Sequence, residues 1–197
     1  MSKELDCRGE LCPRPVILTK KELDNMTGGT ITTIVDNEVA KENVSKLAQS
    51  LGLSFTVDKK KEDEYHIQIV KGQADVVVGE VKVENLSKST IAIGSDKMGS
   101  GGEELGKILI KSFIYTVKET EPYPENIVFY NSGVNLTCEG SPVLDDLKAL
   151  SENGVDIQSC GTCLDYYNIK DKLAVGGISN MYTIYEKMKK ANTININ

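Results

Sequence analysis

The sequence predicts an α/β protein built from two different domains. The first half alternates apolar strands with amphipathic helices and ends on two consecutive strands, in the order βαβαββ. The second half alternates strands and helices throughout, which is typical of a mostly parallel sheet in a three-layer α/β/α sandwich. Glycines stand where the predicted helices stop, at Gly28, Gly52 and Gly154, as helix C-termini favour.

In the first half, apolar residues at a 3.6-residue period predict the helices, and short apolar runs predict the strands. The charged run at 59–64 is interpreted as a solvated turn between the last two strands. The predicted elements are strand 4–7, helix 13–25, strand 31–35, helix 40–51, and strands 53–57 and 67–70.

The second half begins with a strand of buried type, followed by a glycine-rich loop at 94–102. Ser141 and Pro142 predict a helix start, with Ser141 as the N-cap and Pro142 at the first helical position. The predicted elements are strand 90–93, helix 103–117, strand 127–130, helix 142–153, strand 155–158, a short turn-rich helical stretch at 163–173, helix 181–189 and strand 193–196.

We expect a first domain at residues 1–73, a linker at 74–88 and a second domain at 89–197. An alternation of charged and apolar residues at 80–84 adds a short strand to the linker. Residues 1–73 carry 11 basic and 12 acidic side chains, whereas the rest of the chain carries 12 and 17. A nearly neutral domain is therefore predicted to be joined to an acidic one.

Composition excludes several classes of function. The formal net charge of −6 and the pI of about 5.0 argue against a surface that grips nucleic acid or an anionic membrane. No apolar run is long enough to span a bilayer, and the first residues lack the apolar core of a signal peptide. We therefore expect a cytoplasmic protein without a membrane or nucleic-acid partner.

Sulfur is the expected reagent. Five cysteines in a cytoplasmic protein are more consistent with thiols than with a disulfide framework. The single histidine, His66, lies in a strand-like alternation, so a histidine-based nucleophilic site or a histidine-rich metal site is not expected.

Cys12 has the most informative surroundings, in the segment Cys12-Pro13-Arg14-Pro15. With Pro13 at the first helical position, Cys12 becomes the N-cap, and its sulfur lies over the positive end of the helix dipole. The nearest free N–H donors are then those of Arg14 and Val16, and Arg14 adds a positive charge. These features favour thiolate over thiol and would stabilise a persulfide. The alternative is a small buried hydrophobic cysteine.

Residues 3–72 resemble the TusA/SirA-like family of sulfur carriers. The resemblance rests on the Cys-Pro-x-Pro signature, the preceding 5–9 segment (Leu-Asp-Cys-Arg-Gly), the 19–21 segment (Thr-Lys-Lys) and the 35–38 segment (Val-Asp-Asn-Glu). It implies a two-layer sandwich of two helices on a four-stranded sheet. It also implies that Cys12 accepts sulfur as a persulfide from a cysteine desulfurase and passes it to another protein.

Cys7 allows two interpretations. It lies five residues before Cys12, and a loop that folds back would make it a resolving thiol that forms a disulfide with Cys12. The alternative is a cysteine at the end of a strand with no chemical role.

A second group of cysteines lies in the other half. Cys160 and Cys163 have the Cys-x-x-Cys spacing of a redox or sulfur-handling dithiol, and Cys138 is a weaker candidate. Zinc would need two further ligands, and only Cys138 is evident, so no metal is expected. The loops that carry these cysteines follow parallel strands, so the thiols are expected to converge on one crevice. The glycine-rich loop lacks the nucleotide-binding patterns, and no cofactor is expected.

Residues 89–192 resemble the DsrE-like family, which includes subunits that relay sulfur as a persulfide and often assemble. The order of the two halves, with the Cys-Gly-x-Cys-Leu segment at 160–164, resembles the YedF proteins associated with selenium metabolism. The resemblance implies a carrier of sulfur or selenium with a donor enzyme and a protein acceptor, a sulfurtransferase if it is enzymatic. It also implies a homo-oligomer.

Two other functions are compatible with parts of the sequence. One is a redox switch or adaptor in which Cys160 and Cys163 cycle between dithiol and disulfide without sulfur transfer. The other is nucleic-acid binding, because the small βαβαββ fold resembles the C-terminal domain of a translation initiation factor. The near-neutral charge of residues 1–73 disfavours the second.

Overall fold

The computed structural model describes residues 2–72, 89–190 and 192–197, and the chain divides into two compact units. Each unit has its own sheet and its own hydrophobic core. The predicted α/β class is confirmed. The linker predicted at 74–88 and the strand predicted at 80–84 lie outside the described residues, so the domain boundaries stay a prediction.

The first unit has the predicted βαβαββ order. Its strands line up as β1-β2-β4-β3, with β1 parallel to β2 and the other pairs antiparallel. Helices α1 and α2 pack against each other and against β2. The elements are β1 Ser2–Asp6, α1 Arg14–Asn25, β2 Gly29–Val35, α2 Glu38–Ser50, β3 Ser54–Lys61 and β4 Glu64–Lys71.

The core of the first unit is formed by the sheet face beneath the helices. Ile31, Ile67 and Ile69 are fully buried on the two central strands. Val44 and Ala48, one helical turn apart on α2, are buried against the same core. Burial of each large aliphatic side chain stabilises the fold by about 2 kcal/mol, so this packing fixes the position of both helices on the sheet.

Within the described residues, the second unit has five strands that all run parallel, as predicted, in the order β8-β7-β6-β5-β9. The chain proceeds from β5 to β8 in one direction across the sheet and then returns to β9. Right-handed crossovers therefore place α3 and α4 on one face, where they contact each other, and α6 on the opposite face. The elements are β5 Ser89–Ile93, α3 Glu103–Glu119, β6 Asn126–Phe129, α4 Leu144–Glu152, β7 Asp156–Cys160, α5 Gly161–Tyr166, β8 Gly177–Ser179, α6 Met181–Lys190 and β9 Asn192–Ile196.

The predicted start of the first helix is wrong by one residue. Helix α1 begins at Arg14, and Pro13, rather than Cys12, is its N-cap. The reason is a turn that precedes the helix: the Arg14 N–H donates to the Leu11 carbonyl at 2.9 Å. The carbonyl of Pro13 is the first helical acceptor and receives the N–H of Ile17 at 3.2 Å. Cys12 therefore lies in the turn before the helix.

The predicted capping of α4 is also wrong. Ser141 and Pro142 lie in a turn, the N-cap is Val143, and the helix begins at Leu144. The Ser141 carbonyl accepts the Leu144 N–H at 3.3 Å, which closes that turn ahead of the helix. The pattern indicated the right segment, but the first helical hydrogen bonds form two residues later.

Two strands differ from the prediction. The charged run at 59–64 is mostly strand, because β3 continues to Lys61 and pairs there with Glu64 of β4, leaving a two-residue turn. An exposed edge strand tolerates charged side chains that water solvates on both faces. Strand β8 was not predicted, because three residues beside glycines carry too little apolar periodicity to indicate a strand.

Candidate functional site

The loop that carries Cys12 is fixed to the sheet at its beginning. The Cys7 N–H donates to the Ile34 carbonyl at 2.8 Å and so extends the β1–β2 pairing by one residue. The Gly9 N–H then donates to a carboxylate oxygen of Asp36 at 2.6 Å. Gly9 has a φ of +79°, which glycine adopts readily. The loop therefore turns back over the end of β2.

Arg8 forms a second anchor for this loop. Its guanidinium donates to both carboxylate oxygens of Asp6, at 2.9 and 2.6 Å, and lies 3.5 Å from Glu64 on β4. These hydrogen bonds from Arg8 lower the pKa of Asp6 to about 2. Because the Arg8–Asp6 pair is exposed, it contributes more to the geometry of the loop than to the stability of the fold.

Cys12 itself is exposed at the end of this loop. The side-chain amide of Asn43 on α2 donates to its sulfur, with the nitrogen and the sulfur 3.5 Å apart. Two exposed apolar side chains lie beside the site: Leu11 next to Cys12, and Val39 one helical turn before Asn43. An amide donor at an accessible sulfur is suited to a sulfur atom that carries negative charge.

The predicted donors to Cys12 are wrong. The N–H groups of Arg14 and Val16 bond to the carbonyls of Leu11 and Pro13 instead, because these contacts form the turn and the first turn of α1. The Arg14 guanidinium lies 3.2 Å from the Glu10 carboxylate, so its charge is shared with that group. The sequence missed Asn43, which lies 31 residues from Cys12 and carries no local signal of a contact.

Cys7 is a fully buried member of the core of the first unit. Burial raises the pKa of its thiol to about 11. These surroundings fit a cysteine that packs in the core, and a disulfide with the exposed Cys12 would require Cys7 to leave that core. The resolving role of Cys7 stays a prediction.

The second site is a pair of thiols at the carboxyl edge of the parallel sheet. Cys160 ends β7 and is buried, whereas Cys163 lies in the first turn of α5 and is half-buried. Cys160 is the N-cap of α5 and Cys163 is the third residue of that helix, so the two thiols stand at the same helix start. The structure therefore brings together the two cysteines that the spacing singled out.

The loop after the neighbouring strand β6 reaches the same site. The N–H of Asn131 donates to the Cys163 sulfur at 3.1 Å. Asn131 has a φ of +50°, and its side-chain oxygen accepts the hydroxyl of Tyr167 at 3.0 Å. Burial and then the contact with Cys160 raise the pKa of the Cys163 thiol, while the Asn131 N–H opposes them. The sequence analysis missed both Asn131 and Tyr167.

Cys138 lies in the hydrophobic core of the second unit. Its thiol donates to the carbonyls of Val134 at 3.4 Å and of Ile169 at 3.7 Å, and burial raises its pKa. Of the three thiols expected to converge, Cys160 and Cys163 share the start of α5, whereas the contacts of Cys138 go to main-chain carbonyls.

The glycine-rich loop at 94–102 packs against the chain itself. A Cβ atom at Gly94 would lie 2.9 Å from the Tyr130 ring, and the Gly99 N–H donates to the Asn197 carbonyl at 2.6 Å. Glu103 and Glu104 stand in the first turn of α3, where carboxylates repel a phosphate.

Among the described residues, no group of three or more His, Cys, Asp or Glu side chains is placed to hold a metal ion. Within the same residues, none of the helices has the length and apolar character needed to cross a membrane.

The fold and the first site define a small two-layer domain with an exposed thiol, joined in the chain to a parallel α/β domain with two neighbouring thiols. Comparison with known proteins agrees. The family model described as Sulfurtransferase TusA matches residues 3–71, and that of the DsrE/DsrF-like family matches residues 113–195. The chain belongs to the TusA family through its first unit and carries a DsrE/DsrF-like second domain.

Individual relatives match the first unit. A candidate sulfur carrier protein of Methanocaldococcus jannaschii is 34% identical over 70 residues, which are 35% of this chain and 93% of that protein. A candidate sulfur carrier protein of Thermotoga maritima is 40% identical over 53 residues, 26% of this chain and 67% of that protein. The crystal structure of the SirA-like protein of Desulfitobacterium hafniense is 33% identical and covers 36% of this chain and 97% of that one, with a TM-score of 0.35.

Proposed function

We propose that Cys12 carries a sulfane sulfur or selenium atom as a persulfide or its selenium counterpart. The atom comes from a cysteine desulfurase-type donor and goes to a thiol of an acceptor protein. Membership of the TusA family supports this proposal, and the exposed Cys12 sulfur with the Asn43 amide at 3.5 Å carries it. A thiol that exchanges an atom with two large partners has to be reachable at the surface.

The chemistry needs no external oxidant or reductant. The Cys12 thiolate attacks the terminal sulfur of the donor's persulfide, the donor's S–S bond breaks, and the donor thiolate leaves. The acceptor thiolate then attacks the terminal sulfur of the Cys12 persulfide, the S–S bond breaks, and Cys12 leaves as a thiolate. Asn43 holds the accepting sulfur in place at each exchange, and the exposed Leu11 beside Cys12 offers apolar surface to a partner.

The second unit supplies a further acceptor in this proposal. Cys163 is half-buried and receives the Asn131 N–H, which suits a thiol that takes up sulfur from a carrier. Covalent linkage of the two units raises the effective concentration of one thiol at the other, to the order of millimolar where the connecting segment spans the two sites. A relay from Cys12 to Cys163 is therefore part of the proposal.

The test is a mass measurement on the reduced full chain after incubation with a cysteine desulfurase and cysteine. We expect a gain of one sulfur atom on the peptide that contains Cys12, and no gain on that peptide in Cys12→Ala. With selenocysteine in place of cysteine, a gain of one selenium atom supports the selenium role. A chain that gains sulfur equally without Cys12 contradicts the proposal.

A matched pair of variants on α2 tests the part played by Asn43. Asn43→Leu removes the amide donor, and Glu42→Leu makes a similar change at the neighbouring exposed position. Loss of one hydrogen bond of about 1 kcal/mol lowers the persulfide yield at equilibrium roughly fivefold in Asn43→Leu. Equal yields in the two variants would mean that the amide does not hold the sulfur.

A second candidate function is a redox switch, favoured by the placement of Cys160 at the N-cap and Cys163 in the first turn of the same helix. In this case the pair cycles between dithiol and disulfide and changes the binding of a partner, without sulfur transfer. Thiol counting under reducing and oxidising conditions distinguishes the two. One reversible disulfide in a chain that never gains sulfur favours the switch.

A further inference from the structure

The Cys160–Cys163 pair has properties that sulfur storage alone does not require. A storage site needs one thiol, whereas here a second thiol stands three residues away, at the N-cap of the short helix that carries Cys163, and it is almost completely buried, at 2% exposure. Cys163 is half-buried, so a reagent can reach it, whereas Cys160 is closed off from solvent. A sulfur atom bound to Cys163 would therefore lie next to a thiol able to displace it.

We propose that this pair is a sulfane-sulfur reductase, which takes the terminal sulfur of a persulfide and releases it as hydrosulfide. The proposal goes beyond sulfur carriage, since the delivered atom leaves the protein in reduced form. It applies to sulfur delivered by Cys12 and equally to a low-molecular-weight persulfide. The same chemistry would release a selenium atom as hydroselenide.

In the first step, the Cys163 thiolate attacks the terminal sulfur of a persulfide R–S–SH. The S–S bond of that persulfide breaks, R–S⁻ leaves, and Cys163 becomes a persulfide. The half-buried position of Cys163 admits an attacking or donating group from outside. The Asn131 N–H, 3.1 Å from the sulfur, holds the nucleophile in place during this exchange.

In the second step, Cys160 attacks the Sγ atom of the Cys163 persulfide. The bond between that Sγ and the terminal sulfur breaks, the Cys160–Cys163 disulfide forms, and the terminal sulfur leaves as HS⁻, which takes up the Cys160 proton. The two thiols lose two electrons in all, and the sulfane sulfur gains them. An external dithiol then reduces the disulfide and is itself oxidised, so each cycle consumes one dithiol.

Leaving-group ability favours release of the terminal sulfur as hydrosulfide over its transfer to Cys160. In thiol exchange, the group with the lower pKa leaves faster. Burial and the neighbouring Cys160 raise the pKa of Cys163, whereas hydrogen sulfide is a stronger acid than an ordinary thiol. Attack by Cys160 at the Sγ atom of Cys163, with hydrosulfide leaving, is therefore preferred over attack at the terminal sulfur.

The experiment uses the full chain with Cys12→Ser, reduced, freed of reductant and held without oxygen. Glutathione persulfide is added as the sulfur donor, and hydrosulfide is trapped and measured against a blank without protein. We expect one hydrosulfide per chain in a single burst, together with one disulfide between Cys160 and Cys163, located by peptide mass. Further addition of a dithiol to the re-isolated protein restores the burst.

Two variants in the same background separate the steps. Cys160→Ser keeps a persulfide on Cys163 and loses the burst, and the trapped persulfide shows that this variant is folded and competent. Cys163→Ser neither gains sulfur at this site nor releases hydrosulfide. The control is Cys138→Ser, which changes another buried thiol of the same core and keeps the burst.

Hydrosulfide release from Cys160→Ser equal to that of its parent would overturn the proposal, as would a stable persulfide on Cys163 with Cys160 intact. Because Cys12 is absent from every arm, failure here leaves sulfur loading of Cys12 untouched. Conversely, a chain that fails to load Cys12 from a desulfurase can still show the burst with glutathione persulfide.

Discussion

The two thiol sites of this chain differ in how they are enclosed. Cys12 lies exposed on a turn before a helix, with one side-chain donor at 3.5 Å. Cys163 is half-buried, with a main-chain donor at 3.1 Å, and the buried Cys160 is the N-cap of its helix. The first arrangement suits exchange with another macromolecule, and the second suits chemistry that is completed within the protein.

The difference has a structural origin. In the first unit the reactive loop leaves β1 at the edge of a small sheet, and it is held there by Gly9–Asp36 and Arg8–Asp6 contacts at its beginning. In the second unit the thiols follow an inner strand of a parallel sheet, where loops from neighbouring strands meet. A thiol on a loop that leaves an edge strand is therefore exposed, whereas a thiol that follows an inner strand is surrounded by the neighbouring loops.

The largest expected effect is on the rate of alkylation. Equal rates at Cys12 and Cys163 would contradict the difference in enclosure between the two sites. With iodoacetamide at neutral pH, Cys12 should react first and Cys163 more slowly. Cys7 should react at least about a thousandfold more slowly than Cys12, since exposing it requires opening of the core at a cost on the order of 4 kcal/mol. Peptide mass spectrometry against time measures all the rates in one sample.

The control for this measurement is the same reaction in denaturant, where the five cysteines should react at similar rates. A Cys7 that reacts as fast as Cys12 in the native protein would contradict its place in the core. It would also support the interpretation of Cys7 as a resolving thiol.

Local sequence patterns predicted the fold class, because it depends on short-range features, whereas the reactivity of the cysteines stays a prediction. Alternating strands and helices predicted both sheets, and the spacing of Cys160 and Cys163 singled out two cysteines that stand at the same helix start. The predicted N-cap at Cys12 was wrong, because two prolines two residues apart permit either a cap or a preceding turn. Only the Arg14–Leu11 hydrogen bond distinguishes them.

The groups that hold the two sulfurs could not be predicted in this way. Asn43 is 31 residues from Cys12, and Asn131 is 32 residues from Cys163. Each contact depends on how an element packs on its sheet, and no periodicity within either element indicates the contact. An asparagine on a helix surface and one after a strand are, in sequence, ordinary solvent-facing and turn-forming residues.

Glycine substitutions test how closely the loops of the two sites are packed. A Cβ atom at Gly133, in the loop beside Asn131, would lie 2.4 Å from the Ile93 carbonyl oxygen. Gly133→Ala should therefore destabilise the second unit by about 3 kcal/mol. At Gly9 a Cβ atom meets nothing within 4 Å, so Gly9→Ala should destabilise the first unit by only about 1 kcal/mol, through its positive φ.

Hydrogen exchange followed by mass spectrometry measures these two effects separately, because it reports the opening free energy of each unit in the full chain. Gly99→Ala is a matched control within the second unit, with a positive φ and open space around the Cβ position. Similar costs at Gly133 and Gly99 would show that the loop beside Cys163 is not closely packed.

The smallest effect concerns the pH dependence of Cys163. Its thiol has a raised pKa, first because of burial and then because of Cys160. Since the thiolate is the reactive form, alkylation of Cys163 in a Cys12→Ser chain should keep accelerating with rising pH beyond the range of an ordinary cysteine. Removing Cys160 as Cys160→Ser takes away one of the two causes, so the midpoint of the rate profile should move to lower pH. A midpoint that does not move, or moves upward, would show that Cys160 does not act on Cys163, and the description of the second site as a coupled thiol pair would then be wrong.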